Sequence, residues 1–500
     1  MFFNLSDLFA IAPEICLLVL AAVVLKTELF FTRKPTALQG ITMAGLLVTM
    51  GVTVMTASEF PTGAFNGMIA ADGFTLFLKV VLLGVALLTT LMSREYFDDA
   101  AFRHGEYYAL LLLTTIGMMT LAAATDLVTL FLGVETMSVG LYVLAGLRHD
   151  RPRSSEASLK YLLLGAFASG FLLYGMALLY GSTGGKTNFA EIAAAISRFG
   201  DETPKVLLAG VGLILIGLLF KVAAFPFHFW SPDVYQGSPT PVTAFMSAGP
   251  KAAAIAATIR LMGWALPDLA AVWGPLLWVV AALTMTVGNI IAISQKDIKR
   301  MLAYSSISHA GYLLLAVLAA GDQSIRDLAA SGMLFYLAAY YLMNLGAFAV
   351  AILVNRARDN GDYHLDDYQG MAAQKPMYAL AMTVFMISLA GIPPTAGFFG
   401  KLFVFSAAIK AGYVWLVAIA VLNSVVSAFY YLRIVVLMYM KPQTSPAGSM
   451  RSPATAVLIG FCAVAIVVLG LIPGGIRNLA NSGGSSVAIP PPTVAEVSTK

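Results

Sequence analysis

The sequence predicts an all-α polytopic membrane protein of about 14 transmembrane helices, with two inverted five-helix repeats at its centre. Three observations carry this reading. Of the 500 residues, 59% are hydrophobic and only 11% charged, whereas a soluble domain carries about a quarter charged residues. Apolar runs recur along the whole chain, and roughly 20 such residues cross a bilayer as a helix. Polar landmarks recur too: Glu135 and His309 lie 174 positions apart, Lys221 and Lys401 180 apart. A five-helix unit repeated in tandem must take opposite orientations in the membrane, the plan of many ion transporters.

The expected spans fall near 8–26, 36–57, 72–93, 106–123, 126–147, 157–181, 204–225, 239–262, 270–293, 299–319, 327–354, 376–392 continuing into 395–411, 413–440 and 453–473. Residues 1–105 hold spans 1–3, residues 106–262 the first repeat (spans 4–8) and residues 270–440 the second (spans 9–13). Span 14 occupies 453–473, and the polar, proline-rich stretch 474–500 reads as a flexible tail. Spans 7 and 12 are expected to be broken helices. Pro226 lacks an N–H, so the Val222 carbonyl loses its helical donor; Pro393 and Pro394 do the same to Leu389 and Ala390. Backbone groups freed in a membrane must be buried in protein or face water.

Charge and cysteine usage narrow the function classes. The formal net charge of +4 sits in loops and reads as topology rather than nucleic-acid binding. Loops after odd-numbered spans hold Arg33, Lys34, Arg94, Arg103, Arg148, Arg151, Arg153, Lys296, Lys299, Arg300 and further basic residues. Loops after even-numbered spans hold roughly half as many, among them Lys186, Arg198, Arg260 and Lys410. The positive-inside rule then puts the odd loops in the cytoplasm and both termini outside. Cys16 and Cys462 are the only cysteines, a pattern that speaks against iron–sulfur or zinc ligation. The N-terminus has no basic region or cleavage site and reads as a retained helix.

Charges at bilayer depth cost about 2.5–3.5 kcal/mol each on insertion scales, and those that persist usually line a pathway. Glu135 lies nine residues past Asp126, near mid-membrane. Lys221 is flanked by "LILIGLLF" and "VAAF", Lys251 follows "SAGP", and Lys401 follows "AGIPPTAGFFG". The bland alternatives are a structural carboxylate hydrogen-bonded to a neighbouring helix for Glu135, a static partner of Glu135 for Lys221, and a lysine near an interface for Lys251 and Lys401. If Glu135 and Lys221 pair, each alters the other's proton affinity. A lysine beside a fractured helix has polar company and access to water, so it can exchange a proton. His228 and His309 complete the set, because imidazole titrates nearest neutrality and relays protons through either nitrogen. Ser305, Ser306 and Ser308 stand beside His309 as hydroxyl neighbours; an ordinary buried histidine is the competing reading for both rings. "GSTGGKT" (181–187) follows a membrane helix and is one residue short of a phosphate loop, so it reads as a plain loop. Lys79 and Glu14 read as charges snorkelling from helix ends, and "RARDNGDYHLDDYQG" as a solvated loop.

The stretches "FKVAAFPFHFWSPDVYQGSPTPVTAF", "DIKRMLAYSSISHAGYLL" and "AGIPPTAGFFGKL" make the chain recognisable. Over nearly its whole length it resembles the antiporter-like subunit family of bacterial NADH–quinone oxidoreductase (respiratory complex I), and within it the subunit N branch. Position 401 is lysine, where subunit M typically has glutamate, and the long lateral helix of subunit L is not expected after span 14. The resemblance implies a proton-translocating membrane-arm module. Glu135 would be the fifth-helix glutamate, paired with Lys221 of the seventh helix. Lys251 would be the eighth-helix lysine, His309 the central-axis histidine and Lys401 the terminal lysine, with His228 a further candidate. It also implies that FMN, iron–sulfur clusters and quinone belong to other subunits. The partners would be subunit M, small membrane subunits such as K and J, and the lipid of the bacterial inner membrane. A sodium–proton antiporter component without redox coupling would use the same lysines; a structural spacer would freeze them in pairs.

Overall fold

The computed structural model describes residues 5–30, 35–56, 63–97, 104–358, 363–442 and 452–492. Among these, eleven helices are long and apolar enough to cross a membrane. The three remaining expected spans are also helical: Ala12–Phe30, then Lys205–Lys221 followed by Trp230–Gly237, and Pro376–Ala390 followed by Ala396–Lys410. The arrangement is compatible with fourteen spans, and the span numbers above are kept below. Arg33, Lys34, Arg103 and Arg451 lie outside the described residues.

Burial sorts the helices into an inner and an outer set. Span 8 (Thr240–Arg260) is buried along its whole length, and spans 10 (Ile298–Ala319) and 11 (Arg326–Arg358) are almost wholly enclosed. Spans 6 (Pro152–Ser182), 13 (Val414–Met440) and 14 (Pro453–Leu471) turn most of their apolar side chains outward. Phe167, Leu422, Val425 and Val457 are among those outward residues. In lipid there is no hydrophobic drive between helices, so close approach depends on small residues. Gly133 of span 5 (Leu127–Ala145) and Gly311 of span 10 serve this purpose. A methyl added at Gly133 would lie 2.6 Å from the Leu121 backbone nitrogen, and one at Gly311 2.9 Å from that of Met285. Spans 4 (His104–Ala123) and 5 therefore touch backbone to backbone, as do spans 9 (Ala270–Ser294) and 10. Those are corresponding pairs of the two expected repeats.

Both breaks fall where proline puts them. Span 7 ends as a helix at Lys221, and Ala223 takes a left-handed φ of 57° before Pro226. Span 12 ends its first half at Ala390, and Gly391 takes a φ of 85° before Pro393 and Pro394. The two lysines, however, do not occupy corresponding places. Lys221 stands on the half-helix before its break and Lys401 on the half-helix after. Counted from the prolines, Ser388 holds the place of Lys221.

Four sequence expectations change here. Glu14 and Lys79 do not snorkel: they form a buried ion pair at 2.7 Å, and the Lys79 ammonium also donates to the Ala10 carbonyl at 3.0 Å. That carbonyl ends the short helix Leu5–Ala10 just before Pro13. Arg260 is not a loop cation but is fully buried, paired with Asp72 at 2.7 Å. The tail is ordered through residue 492. Helix Gly474–Gly484 packs on spans 3 (Gly73–Tyr96) and 11. Beyond it, Ala488 donates to Asp72 at 2.9 Å and accepts from Arg260 at 2.6 Å. Residues 493–500 of the expected tail lie outside the described residues. The loop after span 11 is partly folded: Tyr363, Leu365 and Tyr368 are buried, and Ile298 donates to the Tyr363 carbonyl at 2.8 Å. "GSTGGKT" is a turn, as expected, with Lys186 held by Glu191 at 2.8 Å.

Replacing Lys79 by methionine is expected to remove about 3–5 kcal/mol of stability, because it strands the Glu14 carboxylate in the interior. A lowered thermal midpoint of the assembled protein would record this. Lys79→Met combined with Glu14→Leu should recover much of the loss.

Candidate functional site

Span 5 begins where the Asp126 side chain accepts the Val128 N–H at 2.8 Å, and its apolar run continues to Ala145. Glu135 projects from its middle, half-buried, and accepts a short hydrogen bond from the Ser169 hydroxyl. Lys221 is enclosed at 2% exposure. Its ammonium donates to Ser138 Oγ at 2.9 Å and reaches the Tyr142 hydroxyl at 3.5 Å. Those residues lie three and seven positions beyond Glu135 on the same helix. The expected direct Glu135–Lys221 pair is therefore absent in this conformation. Ser138 and Ser169 take one partner each.

Lys251 sits in the middle of the fully buried span 8 and donates to Ser306 Oγ at 2.5 Å. Its ammonium also faces the Tyr235 ring at 5.7 Å, a favourable arrangement for a desolvated cation. His309 follows Ser306 by three residues, on the same face of span 10. Its Nδ1 is hydrogen-bonded to the Tyr336 hydroxyl at 2.6 Å and its Nε2 to the Tyr431 hydroxyl at 3.1 Å. Tyr431 is in turn hydrogen-bonded to Ser305. Both imidazole nitrogens are thus committed to groups that donate or accept with equal ease.

Lys401 occupies the place that the prolines create. Its ammonium donates to the Leu389 carbonyl at 3.2 Å, the Ala390 carbonyl at 2.8 Å and Ser424 Oγ at 2.8 Å. Leu389 and Ala390 are the two carbonyls whose helical donors Pro393 and Pro394 remove. The Tyr312 ring lies 5.0 Å from the Lys401 ammonium and 5.7 Å, edge to face, from the His309 ring. Tyr312 thus stands between the two titratable groups. Its hydroxyl accepts from Asn289 at 3.3 Å.

Lys251, His309 and Lys401 lie along one buried polar band: Lys251 meets span 10 at Ser306, one turn before His309, the His309 nitrogens bond Tyr336 and Tyr431, and the Tyr312 ring stands between His309 and Lys401. Lys221 lies beyond an aromatic partition. Tyr142 packs on Tyr161 at 4.8 Å, Tyr161 on Trp230 at 4.4 Å, and Trp230 on Tyr235 at 6.3 Å. His228 is not part of the band. It lies half-buried in the span 7 break, stacked on Phe225 at 5.5 Å, and its Nδ1 has no hydrogen-bond partner. The tyrosines were missed in the sequence. Tyr312 and Ser138 could have been found, since each lies three residues past a titratable group on one helix face. Tyr336 and Tyr431 come from other spans and carry no such signal.

A buried band of lysines and histidine, served by two broken helices inside a multi-span bundle, defines an antiporter-like ion-translocating membrane subunit. The comparisons agree. The NADH:quinone oxidoreductase/Mrp antiporter transmembrane family matches residues 124–427. NADH-quinone oxidoreductase subunit N of Trichlorobacter lovleyi is 48% identical over 482 residues, covering 96% of this chain and 97% of its own. Subunit N of Chloroflexus aggregans is 43% identical over 495 residues, covering 96% and 98%. A chain of respiratory complex I from Thermus thermophilus superposes with a TM-score of 0.78 at 35% identity, covering 94% of this chain and 99% of its own. A chain of the Mrp complex from Dietzia sp. DQ12-45-1b reaches 0.83 at 22% identity, covering 97% of each, and shares the fold. The chain belongs to the NADH-quinone oxidoreductase subunit N family.

Proposed function

We infer that this chain is the proton-translocating subunit N in the membrane arm of an NADH-quinone oxidoreductase, driven by electron transfer in other subunits. The observation that carries the mechanism is the buried band from Lys251 through His309 to Lys401. In the proposed route, protons taken up from the cytoplasmic side load the Lys221–Lys251 region. They pass through His309 and its tyrosines to Lys401 and leave on the outer side. Rings alone do not conduct protons, so transfer across the Tyr161–Trp230 partition calls for water or a side-chain swing. The Glu135–Lys221 separation is the proposed switch. Contact would hold the lysine charged, and the serine-bonded state described above is the open position. Flavin, iron–sulfur clusters and quinone would reside in partner subunits. Subunits M, K and J are the proposed neighbours, with both termini on the periplasmic side of the inner membrane.

Lys221→Ala and Glu135→Ala are each expected to lower NADH-driven proton uptake by inverted membranes at least about tenfold, with the complex still assembled. Wild-type pumping in both assembled variants would remove the switch assignment.

A further inference from the structure

The half-helix after the span 7 break, Trp230–Gly237, has only eight residues, yet it carries rings that stand towards the lysines on either side. Trp230 donates from Nε1 to the Phe220 carbonyl at 3.1 Å, and its ring stacks on that of Phe220 at 5.4 Å. The Phe220 ring in turn faces the Lys221 ammonium at 5.7 Å. At the other end of the half-helix, the Tyr235 ring faces the Lys251 ammonium at 5.7 Å. Trp230 and Tyr235 are both rings of the partition between these lysines, so a shift of the half-helix displaces them together.

A helix this short has little stability of its own, and its fastenings decide where it stands. Its C-terminal end is tied to the start of span 10. Lys299 donates to the Gln236 carbonyl at 3.1 Å and the Ser238 carbonyl at 2.6 Å, and Gln236 donates to Asp297 at 3.3 Å. Asp233 is the only charged residue of the half-helix. One of its carboxylate oxygens accepts from Arg300 of span 10 at 2.6 Å, and the other accepts from Lys160 of span 6 at 3.1 Å. Spans 6 and 10 belong to different expected repeats, so one carboxylate bridges the two halves. The three side chains are 30–43% exposed. Ion pairs of this kind are weak and reversible, which suits a contact that opens and closes during turnover. Neither cation depends on Asp233 alone: Lys160 also meets Glu156 at 2.7 Å, and Arg300 also donates to Gln236 Oε1 at 3.3 Å.

We propose that Asp233 is a positioning residue: its two ion pairs latch the half-helix between spans 6 and 10 and keep the aromatic partition between Lys221 and Lys251 closed until the half-helix is moved during turnover. A partition that opens out of turn lets a proton fall back from Lys251 to Lys221. Electrons then still flow in the other subunits while fewer protons cross. The proposal rests on the reading of the chain as a proton carrier and adds what times the transfer between its first two lysines.

The test uses the whole complex reconstituted in liposomes, with proton uptake and NADH oxidation recorded together. Asp233→Asn removes the charge and keeps the shape. It is expected to lower the ratio of protons to NADH at least about twofold, while NADH oxidation continues. Asp233→Lys, which repels both partners, should lower the ratio further. Adding Lys160→Glu and Arg300→Glu to Asp233→Lys should bring it back, an outcome that a space-filling role does not give. Lys160→Gln combined with Arg300→Gln should match Asp233→Asn, and it tests the latch even where Asp233→Lys fails to assemble. A wild-type ratio both in assembled Asp233→Asn and in the Lys160→Gln, Arg300→Gln variant would overturn the latch. So would a lowered ratio in Asp233→Lys that charge reversal leaves unrepaired. Failure of the wild-type complex to pump protons would instead overturn the underlying reading.

Discussion

Replacing Lys401 with alanine is expected to slow coupled proton translocation on the order of a hundredfold. The ammonium is the one group at the span 12 break that can hold a proton, and it sits on the Leu389 and Ala390 carbonyls and Ser424. Without it, a proton leaving His309 must occupy the membrane interior with no charged carrier, at about 2.5–3.5 kcal/mol. Each 1.36 kcal/mol is a factor of ten in rate. Ser424→Ala removes one of three acceptors and leaves both carbonyls, so its effect should be far smaller. The readout is NADH-driven proton uptake by membranes, normalised to assembled complex. Wild-type uptake in Lys401→Ala would take Lys401 off the route.

The second large effect is on stability. Arg260→Ala is expected to cost about 3–5 kcal/mol, because it strands the buried Asp72 carboxylate. Arg260 also holds the Ala488 carbonyl and the Thr75 hydroxyl at 2.9 Å, so its loss frees the C-terminal stretch as well. Limited proteolysis should then cut between residues 485 and 492, where the parent protein resists. Burial alone pushes the Asp72 carboxyl up, but the charge and hydrogen bond of Arg260, with the hydrogen bonds of Thr75, together outweigh it and hold the group below its ordinary 3.8. A carboxyl lowered in the folded state contributes stability that is full above its ordinary value and is lost as pH falls through the folded value. Acid release of the C-terminal stretch is therefore expected only below about pH 4, and in Arg260→Ala at higher pH. Equal protease resistance in the variant and the parent would refute this anchoring role.

Much of the site could be read in the chain because its rules are local. An apolar run announces a span, each proline announces one orphaned carbonyl four residues earlier, and a lysine beside such a break has polar company. That reasoning identified the freed Leu389 and Ala390 carbonyls and expected polar company for Lys401; the structure shows that the two meet. It failed where partners come from afar. Asp72 and Arg260 lie 188 positions apart, so Arg260 looked like a loop charge and its partner went unnoticed. Glu14 and Lys79 were misread for the same reason. Glu135 and Lys221 looked like a contact because opposite charges in lipid should meet, yet Ser169 and Ser138 satisfy them separately. Serine carries little weight in a hydropathy reading, and its power to divide two charges appears only when the helices are packed. The equivalence of Lys221 and Lys401 failed through counting: spacing found the same helix of the repeat but not the same side of the break.

The resting place of Lys401 is made largely of main chain. Side-chain ligands can be lost by single base changes, but every amino acid at positions 389 and 390 supplies the same carbonyl oxygen. What creates the site is two missing hydrogens, those that Pro393 and Pro394 do not carry. Inheritance therefore guards this cation site through residues that never touch the cation, while the apolar residues around it remain free to drift.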